Sequence, residues 1–248
     1  MLCVYKENRE IEIFLHQARF LEAREIHMPL IFDVGANVGQ SITRYRDAFP
    51  GCRLHCFEPN PQAFKKLISL FHDLSNVRLN FFALTDFTGN SPFFATRLTE
   101  LSSLLQPESW LCALSNDDKY EATELCVPCK TLDQYCHEIE VEWIDILKID
   151  VQGAEPKVLK GGQQMLSDKR IGLIYLEVML AETYVGQATL TQLLKFFETY
   201  QYRLWDLVPF TYTSAGAAWT ANALFVCPQW AKHIEEKFRQ AIADKPRA

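Results

Sequence analysis

Residues 33–39 of the chain are Asp33-Val34-Gly35-Ala36-Asn37-Val38-Gly39, and they indicate the fold more clearly than any other segment. They follow the apolar run Leu30-Ile31-Phe32, which predicts a buried strand, and precede Gln40-Ser41-Ile42-Thr43-Arg44-Tyr45, which predicts a helix. A helix N-terminus has unpaired N–H groups and a partial positive charge, which suit a carboxylate or a phosphate. Gly35 and Gly39 lack a Cβ, so the backbone can approach a ligand closely. The segment therefore predicts a ligand site between a strand and a helix.

The spacing of this turn favours one kind of ligand over another. A dinucleotide-binding turn has the pattern Gly-x-Gly-x-x-Gly, but the second and third glycines are replaced here by Asn37 and Gln40. Instead, Asp33 stands two residues before the first glycine and Asn37 lies at the tip of the turn. This arrangement suits a ligand with both an ammonium group and a carboxylate, such as the methionine half of S-adenosylmethionine. The alternative is an ordinary glycine turn without a ligand.

Length and charge limit the classes of function. The chain has 248 residues, of which 48% are apolar, and its formal net charge is −6. It can therefore form one large α/β domain or two small ones, and it can bury a core without a structural metal or disulfides. Its basic residues are scattered rather than clustered, which argues against nucleic acid as the principal substrate. A small molecule or a sugar is not excluded.

The first residues of the chain, the lengths of its apolar runs and its cysteines indicate the compartment. The first ten residues lack the apolar core of a signal peptide, and no apolar run approaches the roughly 18 residues that cross a bilayer. We therefore expect no membrane span and a cytoplasmic location, where the eight cysteines serve mostly as small buried groups. Cys126 and Cys129 have zinc-like spacing, but no second pair of Cys or His stands at a suitable interval, so we expect strand residues there.

Strand and helix patterns alternate along one domain without repeats or linkers. Strands are predicted over residues 30–34, 53–58, 77–84, 144–151, 172–178, 202–208 and 221–227. The last two are joined by about a dozen residues, which favours an antiparallel pair. The prediction is an α/β fold with a seven-stranded, mostly parallel sheet, one antiparallel strand and helices on both faces.

Three further segments complete the domain organisation. Residues 1–29 are predicted to form an N-terminal helical extension that packs on the body or covers the cleft, and residues 229–248 a C-terminal helix. Residues 86–125 show no regular period, which is typical of a functional insertion or lid.

Acidic residues follow the predicted strands at the edge where α/β sheets bind ligands. Glu58 comes nineteen residues after Gly39, where a carboxylate can accept both hydroxyls of a ribose; the alternative is a surface glutamate. The third strand ends at Ala83-Leu84-Thr85-Asp86, where we expect an adenine ring, with Asp86 reaching its amino edge. Asp86 could equally be a turn residue before Gly89.

Lys148, Asp150 and Glu177 stand at the ends of the next two core strands. Asp150 and Glu177 are candidates for a general base or for the ligands of a divalent metal. Lys148 can assist them, or it can be the structural ion-pair partner of Asp150 or Glu177, because charges at such positions need a partner or a cleft.

The motifs form a combination that extends over residues 30–228. They are Phe32-Asp33-Val34-Gly35-Ala36-Asn37-Val38-Gly39, Phe57-Glu58-Pro59, Ala83-Leu84-Thr85-Asp86-Phe87-Thr88-Gly89, Ser102-Ser103-Leu104, Thr131-Leu132-Asp133, Leu147-Lys148-Ile149-Asp150-Val151-Gln152-Gly153-Ala154-Glu155, Val158-Leu159-Lys160-Gly161-Gly162 and Asn222-Ala223-Leu224-Phe225-Val226. In this combination the chain resembles the FkbM-type family of S-adenosylmethionine-dependent methyltransferases. It departs from that family at Gln152, where a glutamate is common.

The resemblance implies a Rossmann-like class I methyltransferase domain over residues 30–228 and methyl transfer to a hydroxyl of a sugar, glycan or natural product. The residues expected to bind S-adenosylmethionine are Asp33, Gly35, Asn37, Gly39, Glu58, Ala83, Leu84, Asp86 and Ser102. Catalysis is assigned to Asp150, Lys148 and Glu177, with a divalent metal as an option at Asp150 and Glu177. The alternatives are an oxidoreductase that binds a nucleotide or dinucleotide on a related fold, and a methyltransferase-like protein without turnover.

Overall fold

A computed structural model describes residues 10–114, 120–212 and 216–243 of the chain. Within these ranges the strands are β1 (Leu30–Val34), β2 (Arg53–Phe57), β3 (Val77–Asn80), β4 (Ala83–Leu84), β5 (Gly89–Thr96), β6 (Ala122–Lys130), β7 (Ile144–Ile149), β8 (Ile171–Met179), β9 (Arg203–Tyr212) and β10 (Ala218–Val226). The helices are α1 (Glu10–Ala23), α2 (Gln40–Ala48), α3 (Pro61–Phe71), α4 (Ser109–Leu114), α5 (Leu132–Glu138), α6 (Glu155–Lys160), α7 (Gln163–Ser167), α8 (Leu190–Thr199) and α9 (Pro228–Ala243), with a 3-10 turn at Thr99–Leu101.

Seven of the strands form one sheet in the order β3-β2-β1-β7-β8-β10-β9. Neighbouring strands from β3 to β8 are parallel, whereas β10 is antiparallel to both β8 and β9. The predicted α/β fold, with a mostly parallel sheet and one reversed strand, is confirmed. The strand order reverses between β1 and β7, so right-handed crossovers place the helices of the two halves on opposite faces.

The centre of the sheet is buried on both faces. All residues of β1 and β7 are buried, including Ile144, Ile146, Leu147 and Ile149 of β7, which have no exposed surface. Parallel strands covered by helices on both sides show such continuous apolar runs instead of alternation. Burying each of these side chains contributes about 1.5–3 kcal/mol, so this core fixes the positions of the strand ends that carry the polar residues.

Helix boundaries follow the capping residues in the sequence. Asn60 accepts hydrogen bonds from the N–H groups of Gln62 and Ala63, and Pro61 occupies the first position of α3. Thr189 and Gln192 form the reciprocal capping box of α8. None of the described helices is long and apolar enough to cross a bilayer.

The structure corrects the sequence prediction between residues 77 and 130. The predicted strand 77–84 is divided: β3 belongs to the main sheet, while β4 joins a second sheet of order β4-β6-β5. The segment without a regular period contains β5, which pairs antiparallel with β6 from Gly89 to Thr96. Gly89 and Pro92 interrupt its alternation, and its partner residues lie 26 to 40 positions away, so no local pattern reveals it. Cys126 and Cys129 lie in β6 as unpaired thiols.

Candidate active site

A cavity of about 450 Å³ lies at the carboxyl ends of the central strands, a volume within the range of small-molecule sites. It is located where the strand order reverses, which is where sheets of this kind bind ligands. The predicted residues that line it are Gly35, Asn37, Glu58, Ala83, Leu84, Ser102, Lys148, Asp150 and Glu177. Asp33, Gly39 and Asp86 do not line it.

Glu58 is held between the turn after β1 and the start of α3. Its Oε2 accepts a hydrogen bond from the N–H of Asn37 at 2.8 Å, and its Oε1 accepts one from the N–H of Asn60 at 2.7 Å. Asn37 reaches this position with a left-handed backbone, φ 47°. Burial raises the pKa of Glu58 to about 7, although the two N–H bonds oppose the shift. Each carboxylate oxygen retains acceptor capacity toward the cavity.

The two glycines of the turn have a packing role that the sequence did not reveal. A Cβ on Gly35, whose φ is +80°, would lie 1.9 Å from the carbonyl oxygen of Asp150, so this glycine lets the turns after β1 and β7 meet. A Cβ on Gly39 would lie 2.2 Å from the ring of Phe71, so this glycine lets α2 start against α3. The space that was expected to admit a ligand at Gly39 is occupied by an aromatic ring.

A substitution at Gly35 measures the importance of this close approach. Gly35→Ala is expected to destabilise the protein far more than Gly186→Ala, which serves as its matched control. Gly186 has a similar φ of +78°, but a Cβ there meets nothing within 4 Å. The control carries only the left-handed strain of about 1–2 kcal/mol. Gly35→Ala adds a steric cost of about 1–3 kcal/mol or more. Equal losses in urea unfolding would contradict the assignment.

Asp33 and Lys148 form a buried ion pair beneath the cavity. The two residues are direct neighbours in the β1–β7 register, and the Nζ of Lys148 lies 2.8 Å from Oδ1 of Asp33. Oδ2 of Asp33 has no hydrogen-bond partner among the described residues. Burial alone would lower the pKa of Lys148, but the charges of Asp33 and Asp150 outweigh it and raise this pKa. Lys148 is thus a fixed ammonium, unsuited to accepting a proton, and its closest acid is Asp33 instead of the expected Asp150 or Glu177.

In the cavity, Asp150 and Glu177 both contact Gln152, which was not among the predicted site residues. The Nε2 of Gln152 lies 2.9 Å from Oδ1 of Asp150 and 2.7 Å from Oε2 of Glu177. Lys148 adds its ammonium 3.8 Å from Oδ2 of Asp150. Burial, followed by the charges of Asp150 and Glu155, raises the pKa of Glu177. In the part of the chain that the structure describes, no group of three or more His, Cys, Asp or Glu side chains is arranged to hold a metal ion.

Residues 98–104, here termed the covering segment, close one side of the cavity. The hydroxyl of Thr99 donates to Oδ1 of Asn37 at 2.8 Å, and the side-chain amide of Asn60 donates to the hydroxyl of Ser102 at 3.2 Å. The hydroxyl of Ser103 donates to the carbonyl oxygen of Gln152 at 2.8 Å. The covering segment is therefore attached to the ends of β1, β2 and β7.

The opposite side of the cavity consists of residues that the sequence prediction missed. They are Tyr120, Tyr175, Met179, Thr183, Thr211, Tyr212, Trp219, Thr220 and Asn222. The predicted strands ended at 208 and began at 221, whereas β9 continues to Tyr212 and β10 starts at Ala218. Part of this wall was consequently assigned to a loop. Phe14 of α1 also lines the cavity, so the N-terminal helix contributes to the site.

Asp86 lies away from the position expected for it. It is exposed, and its Oδ1 accepts a hydrogen bond from the hydroxyl of Thr85 at 3.1 Å. Ala83 and Leu84, which precede it, are buried and line the cavity. The turn interpretation of Asp86 agrees with this geometry.

The sheet order, the reversed strand and the site between the first strand ends define a Rossmann-like class I methyltransferase fold. Residues 33–204 match the family model described as Methyltransferase FkbM domain. The chain belongs to the FkbM methyltransferase family, and it is an S-adenosylmethionine-dependent methyltransferase. This family membership argues against the alternative considered from the sequence, an oxidoreductase that binds a nucleotide or dinucleotide.

Known proteins similar to the chain include two named methyltransferases. It is 31% identical over 184 residues to 2-O-methyltransferase NoeI of Sinorhizobium fredii, covering 70% of this chain and 72% of that protein. It is 30% identical over 155 residues to methyltransferase sdnD of Sordaria araneosa, covering 54% and 60%. A solved rRNA methylase from Streptococcus thermophilus aligns over 89% of this chain and 97% of its own, with a TM-score of 0.50 and 10% identity. That likeness concerns the fold alone.

Proposed function

We propose that the protein transfers a methyl group from S-adenosylmethionine to a hydroxyl oxygen of a sugar or another polyhydroxylated small molecule. The observation that carries the proposal is a single cavity with two different walls that meet at Asp150 and Glu177. One wall is built from the turns after β1 and β2, and the other from β8, β9 and β10. The similarity to a protein named as a 2-O-methyltransferase supports oxygen as the methyl acceptor.

The first wall fits the donor. Glu58, with acceptor capacity on both oxygens, would accept the ribose hydroxyls, and the buried Ala83 and Leu84 would flank the adenine. Gly35 and Asn37 would contact the methionine part, with Asp33 and Gly39 supporting the turn from behind. Ser102 would close over the donor from the covering segment. Asp86 has no part in this proposal because its side chain is exposed outside the cavity.

The second wall fits a carbohydrate acceptor. Trp219 and Tyr212 offer aromatic surface, which packs well on the C–H face of a sugar ring. Thr183, Thr220 and the buried Asn222 offer hydrogen-bonding groups for hydroxyls. Pockets with mostly apolar walls and a few placed polar groups are typical of small-molecule sites.

The charge of the cavity agrees with this acceptor class, and the cysteines indicate the compartment in which the protein works. Four acids line the cavity (Glu58, Glu100, Asp150 and Glu177) and outnumber the two bases there, Arg44 and Lys148, which disfavours a phosphate backbone as the acceptor. Among the described cysteines, Cys52, Cys56, Cys129, Cys136 and Cys227 are buried free thiols, which suit a reducing compartment such as the cytoplasm.

Glu177 is the proposed general base. When bound, S-adenosylmethionine supplies an electrophilic methyl group, and an acceptor hydroxyl that takes it must lose a proton. Glu177 lines the cavity, and its raised pKa makes it a stronger base than an ordinary carboxylate. The charge of Asp150 raises this pKa further, and the ammonium of Lys148 lies 3.8 Å from Asp150 as its counter-ion. A divalent cation is not part of the proposal, because Gln152 and Lys148 already contact these carboxylates. Adjacent binding of donor and acceptor accounts for much of the acceleration.

A transfer assay tests the proposal. The purified protein is incubated with S-adenosylmethionine carrying a labelled methyl group and a panel of free sugars, oligosaccharides and hydroxylated natural products. The expected result is an O-methylated product, located by NMR, together with S-adenosylhomocysteine. Glu177→Gln is expected to bind S-adenosylhomocysteine normally and to lose turnover. A methyl group on nitrogen or carbon would contradict O-methylation, and binding without transfer to any compound would favour the methyltransferase-like protein without turnover.

A further inference from the structure

Gln152 occupies a rigid turn in the middle of the site. It has a left-handed backbone with φ 55°, and Gly153 follows with φ 89°. The carboxylate of Glu155 accepts the N–H groups of Val151 at 3.1 Å and Gly153 at 3.2 Å, which fixes the turn from the side of α6. Ser103 fixes it from the covering segment by donating to the carbonyl oxygen of Gln152. These hydrogen bonds therefore fix the backbone from which the side chain of Gln152 extends.

The chemistry of its amide determines how this side chain is oriented. The –NH2 group has two hydrogens, and two carboxylate oxygens lie at 2.9 Å and 2.7 Å from it, one from Asp150 and one from Glu177. The opposite orientation would place the amide oxygen against two acidic groups. The Oε1 atom instead lies 3.0 Å from the hydroxyl of Tyr184, which can donate to it. All the hydrogen-bonding atoms of the Gln152 amide are thus engaged.

Tyr184 extends this network to the covering segment. Its side chain is almost fully buried, and its hydroxyl lies 2.9 Å from the carbonyl oxygen of Leu101 as well as 3.0 Å from Oε1 of Gln152. A tyrosine hydroxyl has one proton and can donate it to only one of these oxygens at a time. Which of the two oxygens receives the proton therefore depends on the position of the Leu101 carbonyl relative to Tyr184.

We infer that Gln152 is a positioning residue that holds Asp150 and Glu177 together as one acid–base pair and links this pair to the covering segment through Tyr184. The inference rests on the proposed function, in which Glu177 of this pair receives the proton of the acceptor hydroxyl. Hydrogen bonds from a neutral donor favour the ionised form of a carboxyl, so Gln152 keeps the pair available as a base. A glutamate in its place has at most one O–H to donate, so it could not donate to both acids, and in its ionised form it would add a third negative charge beside them.

The ionisable groups that interact electrostatically with Glu177 come from several elements. They are Lys148 and Asp150 at the end of β7, Glu155 at the start of α6, Tyr120 and Tyr184. Gln152 and Thr220 add hydrogen bonds that lower the pKa of Glu177. Replacing Gln152 with another neutral residue removes the hydrogen bond that lowers the pKa of Glu177 and leaves the charged groups unchanged, so the pH profile of turnover reports on this contact.

Three variants test the inference. Gln152→Asn keeps a residue that tolerates a positive φ, but its amide is one methylene too short to reach both acids. Gln152→Glu keeps the length and adds a third carboxyl, and Tyr184→Phe removes only the hydroxyl. Gln164→Ala is the matched control, because Gln164 also donates its amide to a carboxylate, that of Asp168, but at an exposed site away from the cavity.

The expected results separate positioning from folding and from donor binding. Gln152→Asn should lower kcat about tenfold to a hundredfold. It should also move the acidic limb of the kcat profile up by about one pH unit. Gln152→Glu should move the limb further in the same direction, and Tyr184→Phe less far, while KM for S-adenosylmethionine and S-adenosylhomocysteine binding by calorimetry stay near the wild-type values. An acidic limb that stays in place in all three variants would overturn the inference. Absence of donor binding or turnover in the wild type would overturn the proposed function instead.

Discussion

Replacing Glu58 with alanine is expected to weaken S-adenosylhomocysteine binding by about a hundredfold, because the ribose hydroxyls lose a charged acceptor. A hydrogen bond to a charged group contributes about 1.5–3 kcal/mol, and the loss of about 3 kcal/mol corresponds to a hundredfold change in Kd. Isothermal titration calorimetry measures the effect directly. Glu58→Gln is the matched control: it keeps the shape but presents one acceptor oxygen, so we expect an intermediate loss. Wild-type affinity in Glu58→Ala would contradict the assignment of Glu58 to the ribose.

The pH dependence of binding provides a second signature of Glu58. The ionised carboxylate is the form that accepts the N–H groups of Asn37 and Asn60, and it is also the form that a ribose favours. Because burial raises the pKa of Glu58 to about 7, affinity should fall as the pH decreases below that value and level off above it. This dependence should disappear in Glu58→Gln. Affinity that is constant between about pH 5.5 and 8 in the wild type would contradict it.

The same shift affects the stability of the free protein, with the opposite sign. The pKa of Glu58 in the folded state is above its unfolded value, so the folded state binds this proton more tightly. The contribution of Glu58 to stability is therefore present at low pH and is lost as the pH rises toward about 7. Ligand binding, which favours the ionised form, should offset that loss.

Replacing Lys148 with methionine is expected to lower the free energy of unfolding by about 3–5 kcal/mol, the range found when one member of a buried ion pair is removed. Asp33 has no exposed surface, and the variant takes away the ammonium 2.8 Å from its Oδ1. The carboxylate is then left buried without its counter-ion. Urea denaturation followed by circular dichroism measures the change.

Two further variants separate this effect from the loss of a surface charge. Lys130→Met removes a solvent-accessible ion pair with Glu138 and should cost much less than Lys148→Met, because exposed ion pairs contribute little. The double variant Asp33→Asn/Lys148→Met removes both buried charges and should recover much of the stability lost in Lys148→Met. If Lys148→Met costs no more than Lys130→Met, the ion pair with Asp33 is not important for stability.

The sequence predicted the parts of the site that depend on local patterns. The strand–turn–helix at residues 33–39, the acid after the second strand and the capped start of α3 all depend on neighbouring residues, and each lies where expected. These features position the wall of the cavity that we propose binds the donor. They could be predicted from the sequence without knowing which strands are neighbours in the sheet.

The features that were missed depend on contacts between distant residues. Asp33 pairs with Lys148 because β1 and β7 are adjacent, and Gly35 is required because the carbonyl of Asp150 lies against it. Trp219 reaches the cavity only because β10 runs back along β8. None of these contacts has a signature within a short window of sequence, so register and strand order had to be known first.

The reversed hairpin β9–β10 has a consequence for how such a protein can diversify. The family match ends at residue 204, whereas Thr211, Tyr212, Trp219, Thr220 and Asn222 lie beyond it. The wall that we assign to the donor and most of the wall that we assign to the acceptor thus come from separate stretches of the polypeptide. If the proposed function holds, substitutions near the carboxyl-terminal end of the chain would change which compounds are accepted and would leave the residues assigned to the methyl source untouched.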